Sequence, residues 1–460
     1  MIEPGDSKSR HVAVLAFPFG GHARPLLGLV CTLARRMPDT CFSFFSTRRL
    51  NEHIFSEGEH DVPNNIKPYN VADGVPENHV FSGNPHEPAN LFLKAAPGNF
   101  KEAVELAVLE TGARLTGILA DAFLPFAGEM AEEWQIPSVF LWVATPYNLY
   151  VYLFLDDICR VCSDYDSGHY RDGGQAPEII PGVPAMRVGD LPEGVLDPGD
   201  LEGCLLLSIL DNICRTLPQA TATVVSFCQE LDPTPLTVYL SSQFPSLLYL
   251  GFLTLSLPPR SIGFKKAANC LSWLDKQGPG SVAYISFGTL AVLEQDELLA
   301  LAGALEEGRI TYLWSLGDRL TENLPDGFLE RTRAHGMVVP WAPQIDVLGH
   351  PSVGAFVTHC GSNSVYESIA SGVPMICRPI FGDHRMVARM VSEVWEVGVS
   401  IDNGVTTKDS LIRSFEVIFR DERGKRMREK AQALKEIVIA AAGPKGKAAE
   451  GFETLVEIIS

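Results

Sequence analysis

The sequence predicts an α/β protein of two doubly wound domains, and three observations predict it. The chain has 460 residues, more than one core ordinarily serves. Short continuous apolar runs alternate with segments whose apolar residues recur at helical spacing, the pattern of parallel strands joined by crossover helices. A Pro-containing stretch with neither period, Leu255–Lys265, interrupts that alternation near the middle. The expected parts are a first domain at 1–252, a linker at 253–269, a second domain at 270–445 and a C-terminal helix at 446–460, where Phe452, Leu455 and Ile458 recur at helical spacing.

In the first domain Val12–Phe17 is unbroken apolar sequence, as expected of a strand buried on both faces. Pro18-Phe19-Gly20-Gly21-His22 reads as a tight turn. Pro25 then suits the first turn of a helix marked by Leu26, Leu27, Val30 and Leu33. Cys41–Ser46, Thr116–Ala120 and Val139–Val143 are further strands. Ligands of such sheets lie beyond the carboxyl ends of the strands. His22 and Asp121 both occupy such ends. A histidine there can take a proton from a hydroxyl, with a carboxylate behind it fixing the tautomer. The plainer alternative is a helix N-terminal histidine and a loop-capping aspartate.

The second domain has strands at Ser281–Phe287, Ile310–Ser315, Met337–Val339, Gly354–Thr358 and Met375–Cys377. Gly288 allows close backbone approach to a ligand, and Thr289 can donate to a phosphate. Trp341 offers a flat face to a base, with Ala342 and Gln344 beside it. After Thr358 comes the small polar run His359-Cys360-Gly361-Ser362-Asn363-Ser364, and a helix is expected from about Val365 to Ala370. That order aims backbone N–H groups and a positive helix end at an anion. Glu367, a turn beyond Ser364, can accept from a ribose diol. Asp383 and His384, placed on a loop, can read sugar hydroxyls. Taken singly, Trp341 reads as a core residue, His359 as a cap and Glu367 as a surface charge.

The ordered set WAPQIDVLGHPSVGAFVTHCGSNSVYESIASGVPMICRPIFGDH closely resembles the signature box of plant UDP-sugar glycosyltransferases acting on small molecules. The resemblance implies a GT-B fold, with two Rossmann-like domains facing a cleft and the last helix, 446–460, packing back on the first domain. It also implies that Trp341, Ala342, Gln344, Thr289, His359, Ser362, Asn363, Ser364, Glu367, Asp383 and His384 hold the donor. His22 would be the catalytic base and Asp121 its partner. FPFGGHARPLL, NVADGVPENHV, SGNPHEP and DLPEGV are similar to the branch that glycosylates flavonoids and anthocyanidins at the 3-hydroxyl. This places the acceptor near Gly21, His22, Pro85, Tyr147 and Asp190. The chain departs from the family at Ser362, usually Trp, at Val143, usually Thr, and at His384, usually Gln. In the family, His at that last position accompanies galactose, so the donor expected is UDP-galactose, with UDP-glucose as the alternative.

A formal net charge of −19 argues against nucleic-acid partners. The ten cysteines are scattered, several in apolar runs, which reads as reduced thiols and a cytoplasmic location. No apolar run reaches membrane-spanning length. Asp164-Tyr165-Asp166 matches the acidic pair of metal-dependent transferases, but it lies in a Gly-, Asp- and Pro-rich loop and reads as solvated. Cys159 and Cys162 form a lone pair without further ligands. No metal or other cofactor is therefore expected, and the chain is expected to be a monomer. A nicotinamide enzyme is disfavoured because FPFGGHARP, not GxGxxG, follows the first strand. A non-catalytic carrier remains the rival reading.

Overall fold

The computed structural model describes residues 10–55, 61–81, 87–154, 188–192, 201–256, 264–288, 293–401 and 406–460. The chain divides into two compact units. One comprises Met1–Leu155, Asp197–Ser261 and Ala441–Ser460; the other comprises Asp156–Leu196 and Ile262–Ala440. Residues 188–192, expected in the first domain, therefore group with the second unit.

The first unit is built on a seven-stranded parallel sheet, comprising β1 (Arg10–Leu15), β2 (Thr40–Thr47), β3 (Ile66–Val71), β4 (Leu115–Asp121), β5 (Ser138–Trp142), β6 (Ala222–Val225) and β7 (Leu247–Tyr249). Their spatial order is β3-β2-β1-β4-β5-β6-β7. Order reverses between β1 and β4, which pair in parallel with Leu15 opposite Ala120. Such a reversal leaves a crevice at the carboxyl ends of the two strands. Both faces of β1 are covered, which is why Val12–Ala16 is apolar throughout and fully buried. The helix Ala23–Arg36 supplies Leu26, Leu29, Val30 and Leu33 to this core. Leu455 and Ile459 of the C-terminal helix Lys447–Ile459 join the same cluster. Each leucine so buried contributes about 2 kcal/mol, which ties the end of the chain to the unit formed by its beginning.

The second unit holds β8 (Val282–Ser286), β9 (Thr311–Ser315), β10 (Gly336–Val339), β11 (Val353–Thr358), β12 (Met375–Cys377) and β13 (Gly398–Ser400). All run parallel, in the order β10-β9-β8-β11-β12-β13. Its reversal lies between β8 and β11, where Ser286 stands opposite Thr358.

Two local expectations are corrected. The helix expected at Val365 begins three residues earlier and spans Ser362–Ser371, with Gly361 as its N-cap. Small polar residues suit a first helical turn as well as a loop, so composition misplaced the boundary. His384 opens the helix His384–Arg389 instead of lying on a loop. Among the described residues no helix is long and apolar enough to cross a membrane. Cys31, Cys41, Cys214, Cys228, Cys270, Cys360 and Cys377 are free thiols. Burial pushes Cys31 up to about 11 and Cys228 up to about 12, so neither is a thiolate near neutrality.

Candidate active site

His22 directly follows the turn after β1 and stands at the N-cap of the helix Ala23–Arg36, but its side chain caps nothing there. Its Nδ1 instead meets Asp121, at 3.0 Å from Oδ2 and 3.2 Å from Oδ1. Asp121 ends β4, so the strand reversal is what brings together two side chains 99 residues apart. The carboxylate is wholly buried while the imidazole keeps 19% exposure. Oδ1 also accepts the Phe123 N–H at 2.9 Å, which fixes the plane of the carboxylate. A carboxylate at Nδ1 favours the tautomer with the proton there and leaves the basic lone pair on Nε2.

The ring is held edge-on by Phe123, at 4.7 Å between centroids, and by Phe17, at 5.1 Å. Phe19 and Phe92 continue the cluster around Phe17, and Phe123 stacks on Trp142. A partly exposed imidazole among aromatic edges suits proton removal from a hydroxyl on a flat ring. The sequence reading missed these phenylalanines, because isolated aromatics in apolar runs look like ordinary core.

In the second unit β11 leads through His359, Cys360 and Gly361 into the helix Ser362–Ser371. Gly288 follows β8, and a Cβ there would lie 2.9 Å from His359 Cε1; one at Gly361 would lie 2.5 Å from His359 Nε2. Gly288 therefore makes room for the His359 ring, and its φ of +74° is itself a backbone conformation that favours glycine. Burial lowers the His359 pKa to about 4, against a smaller opposing pull from the Ser286 backbone. His384, whose ring meets that of His359 edge-on at 4.9 Å, is lowered to about 3 by burial and then by its neighbour. Both are neutral near pH 7 and act as hydrogen-bonding groups, not cations. Phe381 N–H points at His384 Nδ1 at 3.4 Å, which favours the tautomer with its proton on Nε2.

His359 Nδ1 and Ser362 Oγ are buried without a hydrogen-bond partner among the described residues. Such atoms cost about 1–3 kcal/mol each unless a ligand satisfies them. They stand at the start of a ten-residue helix, where the free N–H groups and the dipole favour a phosphate. The donor set fits a diphosphate.

Trp341 follows β10 with 39% exposure, unlike an ordinary core tryptophan, while Ala342 beside it is buried. Glu367 is buried within the helix Ser362–Ser371 instead of lying on its surface. Gln344 Nε2 donates to Glu367 Oε2 at 2.8 Å and to Ser364 Oγ at 3.0 Å, and Gln344 Oε1 accepts from Tyr284 OH at 3.2 Å. Its amide hydrogens are thus engaged inside the protein, holding Glu367, before any nucleoside arrives. Tyr284 was not foreseen, since within β8 it reads as core. Asn363 lies in the first turn of the helix, and Asp383, half-buried, immediately precedes His384.

The acceptor residues fare differently. Gly21 adjoins His22. Tyr147 is almost fully buried in the helix Pro146–Leu153. Asp190 is engaged in the second unit, where Arg389 Nε donates to Oδ2 at 2.8 Å. Pro85, Thr289, the Asp164-Tyr165-Asp166 run, Cys159 and Cys162 lie outside the described residues. Among the described residues no group of three or more His, Cys, Asp or Glu side chains could hold a metal ion.

The family model for UDP-glucoronosyl and UDP-glucosyl transferase matches residues 265–435. An anthocyanidin 3-O-glucosyltransferase of Vitis vinifera is 45% identical over 98% of this chain and 97% of its own. The chain belongs to the UDP-sugar transferase family. An anthocyanidin 3-O-galactosyltransferase of Actinidia chinensis var. chinensis is 44% identical over 100% of this chain and 99% of its own. The crystal structure of a UDP-glucose: anthocyanidin 3-O-glucosyltransferase in complex with UDP matches with a TM-score of 0.91, at 42% identity, over 98% of this chain and 99% of that one. The two parallel-sheet units are those of a GT-B transferase. The stretch matched by the family model contains Trp341–His384 whole but neither His22 nor Asp121. For this UDP-sugar transferase, the dyad therefore rests on its own geometry.

Proposed function

We propose that the chain transfers galactose from UDP-galactose to the 3-hydroxyl of a flavonoid, a flavonol or anthocyanidin, with inversion at the anomeric carbon. The observation that carries the transferase chemistry is the His22–Asp121 pair, set in an aromatic surround at a strand reversal. His22 Nε2 takes the hydroxyl proton, and buried Asp121 stabilises the imidazolium that forms. The acceptor oxygen attacks the anomeric carbon opposite the departing UDP, so an α-linked donor gives a β-glycoside. Uracil stacks on Trp341 and the ribose diol bonds Glu367. Charge growing on UDP is met by His359, Ser362, Asn363, Ser364, Thr289 and the helix N–H groups. Asp383 and His384 read the sugar. The scheme asks for no metal.

Galactose is favoured by His384, a short neutral donor buried beside His359 where a longer amide would reach differently. UDP-glucose is the second reading, supported by the similarity to the Vitis vinifera glucosyltransferase. Galactose and glucose differ only in the direction of one hydroxyl, and one unmade hydrogen bond is worth about 1–3 kcal/mol. Initial rates with both donors on one flavonol decide between them: a clear preference for UDP-galactose supports the proposal, and a clear preference for UDP-glucose rejects it.

A further inference from the structure

We propose that Arg378 is a positioning residue of the donor site, a guanidinium latch that sets where Asp383 and His384 stand relative to His359 and so governs which hexose is accepted. The inference rests on the donor reading above and concerns a side chain that contacts neither phosphate nor sugar in that scheme.

Arg378 is the first residue beyond β12, at the base of the segment leading to Asp383 and His384. Three separate parts of the second unit converge on it. Nε donates to Glu297 Oε1 at 2.8 Å and Nη2 to the same oxygen at 2.5 Å; Nε also reaches Thr406 Oγ1 at 2.7 Å. Nη1 donates to the Pro379 carbonyl, which folds the segment against its own root. The Arg378 backbone N–H donates to the Thr358 carbonyl at 2.8 Å, and Thr358 is the residue before His359. One residue thus ties the root of the His384 segment to the strand end carrying His359, to the first turn of the helix Gln295–Glu307, and to Thr406.

The chemistry is that of a rigid strut. The Arg378 and Glu297 side chains are each 13% exposed, so the pair is poorly screened and its charge-assisted bonds are strong. A planar guanidinium with acceptors on several sides cannot shift without losing one of them. Telling one hexose from its epimer depends on donors held to within roughly 0.5 Å, a precision set by the groups behind them. His384 meets His359 at 4.9 Å, and both strand ends beneath those rings are bonded through Arg378.

The test compares Glu297→Gln and Thr406→Val with the unaltered protein, each assayed with UDP-galactose and UDP-glucose on one flavonol and titrated with UDP by calorimetry. The expected result is UDP affinity within about twofold, and a galactose-to-glucose ratio of kcat/KM that moves roughly five- to tenfold toward unity in Glu297→Gln and less in Thr406→Val. A purely structural role lowers melting temperature and both rates together without moving the ratio, and that result overturns the inference. Should Glu297→Gln fail to fold, Thr406→Val, which uncovers no charge, decides alone by the same ratio. An unaltered protein indifferent to the two hexoses also overturns it. If the protein binds UDP but transfers neither hexose, the transferase reading fails instead, and the separation of UDP-hexose affinities in Glu297→Gln still decides the latch.

Discussion

Replacing Asp121 by Asn probes the proposed base without touching it. In the native arrangement Oδ1 accepts the Phe123 N–H at 2.9 Å and Oδ2 faces His22 Nδ1 at 3.0 Å. An isosteric amide must keep its oxygen on the Phe123 N–H, since an NH2 group there would set donor against donor. Its NH2 group then takes the nearer position, 3.0 Å from His22 Nδ1, and favours Nδ1 as an acceptor over the longer 3.2 Å contact to the oxygen. The ring proton moves to Nε2, and the nitrogen that should take the acceptor proton no longer has a lone pair. General-base catalysis contributes roughly 10²–10⁴ in rate, equivalent to about 3–5 kcal/mol. Asp121→Asn should therefore lower kcat/KM about a thousandfold, comparably with His22→Ala. The double variant should be no worse than either, because the two side chains act as one unit. The assay is UDP release under initial-rate conditions, with UDP affinity by calorimetry and folding by circular dichroism as controls. UDP binding should stay within about threefold, because the proposed donor residues belong to the other unit. Phenols of lower pKa should recover part of the lost rate, since they need the base less. Retention of more than about a third of kcat/KM in Asp121→Asn, or a multiplicative loss in the double variant, would refute the reasoning.

Other outcomes follow from the donor side. His384→Gln should shift kcat/KM toward UDP-glucose by roughly ten- to a hundredfold, measured with both donors on one acceptor; an unmoved ratio removes His384 from sugar selection. Trp341→Ala should weaken UDP binding in calorimetry by about 1–3 kcal/mol while kcat at saturation stays nearly constant, because stacking acts equally in ground and transition states. Burial holds His359 near 4 and His384 near 3, below the ordinary 6.5. Between pH 6.5 and about 4 the unfolded chain binds protons that the folded chain refuses, so stability is full above that window and falls within it by about 1.4 kcal/mol per unit for each histidine. Urea unfolding at pH 7 and pH 5 should show His359→Gln losing roughly 2 kcal/mol less than the unaltered protein.

Legibility divided along a physical line. Features written in a single stretch of chain could be read: β1, β2, β4, β5, β8, β9, β11 and β12 each appear where apolar runs placed them, within a residue or two at the ends. Parallel strands buried on both faces leave a continuous apolar signature, and little else does. What the sequence could not carry is the order in which strands lie side by side. That order puts β4 against β1 and thereby brings Asp121 to His22, and it puts β11 against β8 and brings His359 to Gly288. Gly288 shows the consequence most plainly. Its sequence context pointed to a ligand, yet the atom it accommodates belongs to a ring seventy-one positions away. Gln344 is a parallel case: its position beside Trp341 pointed to the nucleoside, while its amide hydrogens are used on Ser364 and Glu367. In both, the structure shows the residue fixing a neighbouring side chain, His359 or Glu367, that is itself proposed to meet the donor. The supporting layer of the proposed donor site, Tyr284, Gln344, Gly288, Arg378 and Glu297, is drawn from four separate elements or their ends. No local spacing rule can find such a layer, because its members are defined by what they touch. On the proposed reading, selectivity between two nearly identical hexoses follows from how firmly Gly288 and Arg378 hold His359 and His384, which makes those two supports a more informative target for substitution than the sugar-facing side chains alone.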